Sequence, residues 1–109
     1  MNNVFDDIHV DLPEELVESL VECGGLRIER IVSRGHTTAD GEWYDQESDE
    51  FVLLLKGSAV LEFADGHNHS LGPGDWMVIP AHSRHRVVKT DSATESVWLC
   101  VHYRYEKPE

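Results

Sequence analysis

The sequence predicts an all-β domain, an antiparallel sandwich or barrel with one short helix at its front. Three observations carry this. Short apolar segments recur between Gly, Pro and Asp turns. No helical pattern separates them, which disfavours a parallel βαβ sheet. Of the 109 residues, 40% are apolar, enough for a core, and this length suits one domain. The chain therefore reads as a single domain over 1–109, with an N-terminal segment and helix over 1–24 and a barrel over about 26–105.

The helix is expected from Pro13 to Glu22. Pro13 suits a first turn, where its missing N–H is no loss, and Glu14 and Glu15 complement the positive end of the helix dipole. Leu16, Val17, Leu20 and Val21 share helical spacing, and Gly24-Gly25 reads as the stop. Leu26 to Glu29 alternates as a strand, and a polar stretch follows from Ser33 to Asp49. Phe51 to Leu55 is a continuous apolar run closed by Gly57. In Ser58 to Phe63, Ala59, Leu61 and Phe63 share one face, and Asp65-Gly66 signals a hairpin. Gly72-Pro73-Gly74-Asp75 is a tight turn before a strand from Trp76 to Ile79. Arg86 to Val88 is short. Ser96 to Tyr105 is apolar on both faces, as expected of a strand covered on both sides. The total is eight to ten strands.

Charge narrows the partners. With 21 acidic and 9 basic residues the formal charge is −12, which excludes the basic face a nucleic-acid binder needs and any attraction to anionic membranes. The longest apolar run is far below the ~20 residues of a bilayer span. The first residues lack a basic n-region and an apolar h-region, so a cytoplasmic protein with two reduced thiols, Cys23 and Cys100, is expected.

Several residues carry chemistry. Glu50 stands before the most apolar run, where a carboxylate is costly unless paired, hydrogen-bonded or metal-bound. Tyr44 and Gln46 share a face if their segment is extended. His82 and His85 flank the turn after Pro80, and His102 lies inside the last apolar strand. His67 and His69 follow a hairpin turn in a polar stretch and read as an exposed arm. Trp43, Trp76 and Trp98 read as packing residues, and Arg84 and Arg86 as a solvated rim.

The arrangement of these segments resembles the cupin superfamily. Its first motif, G-x5-H-x-H-x(3,4)-E-x6-G, is matched by Tyr44-Asp45-Gln46, three residues, Glu50, six residues and Gly57. Its second, G-x5-P-x-G-x2-H-x3-N, is matched by Gly74, five residues, Pro80-Ala81-His82, two residues, His85, three residues and Lys89. The resemblance implies a double-stranded β-helix, or jelly roll, with a site in its mouth. It also implies a homodimer, which covers exposed sheet edges. The family's four metal ligands fall on Tyr44, Gln46, Glu50 and His85. Both histidines of the first motif are thus replaced, and His82 stands where the second motif has glycine. Gln46 offers a weaker oxygen donor, and Tyr44 binds only as phenolate against an ordinary pKa of ~10. His82 or His102 could restore a third nitrogen by turning inward.

Three functions follow from these residues. The first is a small-molecule enzyme of oxygenase, isomerase or lyase type. It would hold divalent Fe, Mn, Ni, Cu or Zn on Gln46, Glu50 and His85, with Tyr44 or His82 as further ligands and Tyr44 or His102 as proton donor or acceptor. The second is metal-free acid–base catalysis by Glu50 and His85. The third is a non-catalytic cupin that binds or senses a small molecule.

Overall fold

A computed structural model describes residues 1–9 and 11–104. Eight strands run in chain order: β1 Leu16–Cys23, β2 Leu26–Ser33, β3 Asp49–Lys56, β4 Ala59–Phe63, β5 Asn68–Leu71, β6 Trp76–Ile79, β7 His85–Thr90 and β8 Ser96–Tyr103. They form two antiparallel sheets, ordered β1-β2-β8-β3-β6 and β5-β4-β7. Tyr105, the expected end of the last strand, lies outside the described residues. No helix of the described residues is long and apolar enough to cross a membrane.

The expected N-terminal helix is absent. Residues 16–23 are instead strand β1, paired along its length with β2. The register joins Cys23 to Leu26, so Gly24-Gly25 is a two-residue hairpin loop rather than a helix stop. Gly24 has φ +54°, the left-handed conformation that such a turn demands and that glycine adopts without a Cβ penalty. Pairing then overrides a modest helical preference. Glu18 lies opposite Arg30 in the ladder, with Arg30 Nη2 to Glu18 Oε1 at 2.8 Å. The guanidinium is buried and also donates to the carbonyl oxygens of Val4 and Asp6, which ties the N-terminal segment to the sheet's outer face.

The core lies between the sheets. Val52, Leu54 and Trp98 from the larger sheet meet Leu61, Phe63 and Leu71 from the smaller one. β8 lies between β2 and β3, which explains its apolar sequence: Trp98, Cys100 and His102 are buried inward, whereas Leu99 and Val101 on the other face are half-buried. Gly57 links β3 to β4 with φ +88°, and a Cβ there would stand 2.4 Å from Ser96 Oγ and 2.7 Å from its Cα. Only glycine lets the chain turn this close to β8.

Candidate functional site

The register of the larger sheet builds the site. Arg27 of β2 and Glu50 of β3 both pair with His102 of β8, so the three lie in one row across the sheet. Alternation puts Glu29 and Ile31, Cys100 and Trp98, and Val52 and Leu54 on the same inward face. Across the interior, Tyr44 and His85 form an isolated bridge: each backbone N–H donates to the other's carbonyl, at 2.8 and 3.2 Å. Their rings stack with centroids 5.6 Å apart. Two polar rows from opposite sheets thus face each other over an apolar floor.

Between them is a cavity of about 250 Å³, at the small end for ligand pockets. Tyr44, Gln46, Glu50, His85 and His102 all line it, so the structure brings together five of the six residues singled out from the sequence. Glu50, His85 and His102 are buried, and Tyr44 is 42% exposed at the mouth. Three polar lining residues were missed: Glu15, Arg27 and Glu29. Alternation of Arg27 and Glu29 along an expected strand was the available signal. Without the neighbouring strand it could not show that their face turns inward.

A chain of charged and polar groups crosses the cavity. Arg27 Nε lies 3.2 Å from Glu29 Oε2. His102 Nε2 donates to Glu29 Oε1 at 2.6 Å and lies 3.4 Å from Glu50 Oε2. Glu50 Oε1 is 3.7 Å from His85 Nε2. On the far side His85 Nδ1 donates to the Ser83 carbonyl at 2.8 Å, which leaves Nε2 as the free lone pair of the neutral ring. His102 Nδ1 is buried without a hydrogen-bond partner among the described residues.

Burial sets the proton affinities. Glu50 is pushed from 4.5 up to about 7, first by loss of solvent and then by the charge of Glu29, with Arg27 partly offsetting both. Burial pulls His85 below its ordinary value, against the opposing bond to Ser83. Burial likewise raises the Tyr44 phenol, helped by the charge of Glu15. The Cys100 thiol is raised by burial and then by Glu50, so it is no nucleophile at neutral pH. Near pH 7 the cavity therefore holds a carboxyl close to its midpoint, 3.7 Å from an imidazole whose neutral form burial favours.

The sixth residue lies elsewhere. The His82 side chain is 66% exposed, with Nδ1 on Asp45 Oδ1 at 2.8 Å. Its φ is +62°, the left-handed conformation that explains why the resembling motif has glycine at this position. His67 and His69 are exposed. Arg84 and Arg86 sit over the Trp43 ring, and Arg86 pairs with Glu62, so neither guanidinium lines the cavity.

The cupin-domain family model matches residues 32–102, from the end of β2 to His102 in β8. The chain belongs to the cupin superfamily. Among solved structures, this cupin is 43% identical to a protein of Ralstonia eutropha JMP134 provisionally named a mannose-6-phosphate isomerase. The TM-score is 0.92, covering 96% of this chain and 98% of the other. A cupin superfamily protein of Desulfitobacterium hafniense DCB-2 matches at 21% identity and TM-score 0.74, covering 90% of this chain and 84% of its own. An RmlC-like cupin of Methanocaldococcus jannaschii with a double-stranded β-helix matches at 20% identity and TM-score 0.70, covering 90% and 87%. The last two establish the fold alone. Comparison with curated proteins gives no match.

The donor set of this cupin does not fit the divalent ion its family implies. Of the four family positions only Glu50 and His85 carry a carboxylate and an imidazole. Tyr44 is held further into its protonated form, and Gln46 offers an amide. His102 Nε2 already donates to Glu29. Among the described residues no group of three or more His, Cys, Asp or Glu side chains is arranged to hold a metal ion.

Proposed function

We propose that this cupin is a small-molecule enzyme of isomerase or lyase type that moves a proton next to a carbonyl group. The observation that carries the reading is Glu50, buried in the cavity and pushed to about 7, with His85 Nε2 3.7 Å away. A general acid–base works best when its pKa lies near the working pH. Glu50 takes the proton from the substrate carbon and returns it to the neighbouring one, the Tyr44 hydroxyl donates to the carbonyl oxygen, and the Nε2 lone pair of neutral His85 accepts from the adjacent hydroxyl. The name of the Ralstonia eutropha relative supports this class, since aldose–ketose interconversion is such a proton transfer.

Exchange in D2O tests the reading. With mannose and fructose as neutral carbonyl probes, deuterium should enter the carbon next to the carbonyl, half-maximally near the pKa of Glu50. Glu50→Gln should lower the rate on the order of 100-fold. Equal rates in the two proteins, or none in either, would leave a non-catalytic binding cupin. The same samples test the metal-assisted version. Stoichiometric Fe, Mn, Ni, Cu or Zn, lost in Glu50→Ala and His85→Ala, would return Glu50, His85 and Gln46 to the role of ligands.

A cytoplasmic homodimer belongs to the same proposal. Cys23 and Cys100 are both free thiols, as a reducing compartment favours. β1 forms a sheet edge and exposes Val17, Leu20 and Val21, which a second copy would cover. Light scattering at micromolar concentration should give twice the chain mass.

A further inference from the structure

The cavity's charge and hydrogen-bonding inventory is lopsided, and this says what kind of molecule fits. Three carboxyl groups line it, from Glu15, Glu29 and Glu50, against one guanidinium, Arg27. Arg27 is already engaged by Glu29. Arg84 and Arg86, the cations nearest in sequence to His85, are turned onto Trp43. Among the described residues Arg27 is the one cation that lines the cavity, and its contact with Glu29 is through Nε at 3.2 Å.

Hydrogen bonding points the same way. The Glu50 side chain is 92% buried, since its exposure is 8%. Its oxygens stand 3.4 and 3.7 Å from the two imidazole nitrogens, longer than an ordinary hydrogen bond. His85 Nε2 is the lone-pair nitrogen of a ring whose Nδ1 is committed to Ser83. Glu50, whose hydrogen-bond partner is the weak Cys100 thiol, and the Nε2 lone pair of His85 therefore present acceptors short of donors. Below them the wall is Val52, Leu61, Ile79, Val87 and Trp98.

We infer that the cavity takes a small ligand with an apolar body and a donor-rich, cationic head, such as a primary amine, and rejects carboxylates and phosphates. The head meets Glu50 and the Nε2 lone pair of His85 and supplies donors that the neighbouring imidazole nitrogens do not. The body covers the apolar floor. An anionic head meets three carboxyl groups against one guanidinium already shared with Glu29, and like charge at short range is costly in a partly desolvated site. This rests on the reading of the cavity as a ligand site and names the class it selects. It predicts that a phosphorylated sugar is not the substrate, although uncharged carbonyl compounds still enter.

Three near-isosteric probes test it: phenethylamine, phenethyl alcohol and phenylacetate, titrated into the full chain at neutral pH. Binding is followed through the Trp98 indole and the His85 and His102 ring signals by NMR. The amine should bind at least about tenfold tighter than phenylacetate, with the alcohol between them, and Glu50→Gln should narrow that gap. Phenylacetate binding as tightly as the amine would overturn the inference. So would the absence of any shift from the amine at about 10 mM, a concentration that reveals even millimolar affinity. Catalysis is read separately by deuterium exchange. Amine selectivity without exchange sinks the enzyme reading and leaves this inference standing; exchange with an anion preference does the reverse.

Discussion

The same three strands build two opposite environments. Ile31, Trp98 and Leu54 form one row across β2, β8 and β3; Arg27, His102 and Glu50 form another, four residues further along each strand. The rows are about 13 Å apart at the usual strand rise. Leu54 in the first is fully buried, with 0% exposure, and belongs to the main core cluster. Glu50 in the second is nearly as buried, at 6%, yet carries a carboxyl group. The ladders treat the rows alike, so backbone pairing does not distinguish them. What differs is what each row supplies: the first packs Leu54 into the core and gives the cavity its apolar floor through Ile31 and Trp98, and the second gives the cavity its polar groups, opposite Tyr44 and His85. The first row stores stability, and the second uses some of it to hold an acid poised near neutral pH.

The largest expected effect breaks the apolar row. Leu54→Ala should destabilise the fold by about 3 kcal/mol through lost burial and the cavity left behind. Urea unfolding checks it, and a loss below about 1 kcal/mol would mean the row is loosely packed.

In the polar row the sign reverses. Glu50 has a folded-state pKa raised from 4.5 to about 7, so folding favours its protonated form. Its contribution is fully present below pH 4.5 and is lost as pH rises through about 7. That gap corresponds to a penalty of about 3 kcal/mol on the ionised group at alkaline pH. Glu50→Gln should therefore stabilise the protein by up to about that much at pH 8.5 and do little at pH 5. His85 acts oppositely: its depressed pKa favours the neutral ring, and that contribution fades as acid protonates it. Thermal melts of both proteins against pH read the difference.

Two neighbours sharpen the point. Glu29 raises the Glu50 pKa and Arg27 lowers it. Glu29→Gln should move the Glu50 midpoint down, and Arg27→Met should move it up. Shifts in the same direction from both would contradict the assigned causes.

The smallest effect lies outside the cavity. His82→Gly relieves a left-handed backbone but gives up an exposed bond to Asp45. Stability should change by less than about 1 kcal/mol and the Glu50 midpoint should stay put.

Much of this was legible in the sequence. The motif spacing located Glu50 and His85, and the turns at Asp65-Gly66 and Gly72 to Asp75 marked the ends of β4, β5 and β6. β1 reads as a helix because Leu16, Val17, Leu20 and Val21 fit helical spacing, while what makes it a strand is β2, its partner, and a Gly-Gly pair that serves either a helix end or a hairpin. Glu29 was invisible for a related reason. Its partner His102 is 73 residues away, and only the β2–β8 register joins them. His82 carried its own signal, a side chain where the motif has glycine, but a left-handed φ cannot be told from an inward turn without the backbone.

The central claim is that Glu50 is a buried acid poised near neutrality. Carboxyl 13C NMR of the full chain, with Glu50→Gln to assign the signal, measures this directly. The expected midpoint is about 7. A midpoint near the ordinary value of 4.5 would contradict it, because the carboxyl would then be solvated or paired and could not serve as the proton carrier of the cavity.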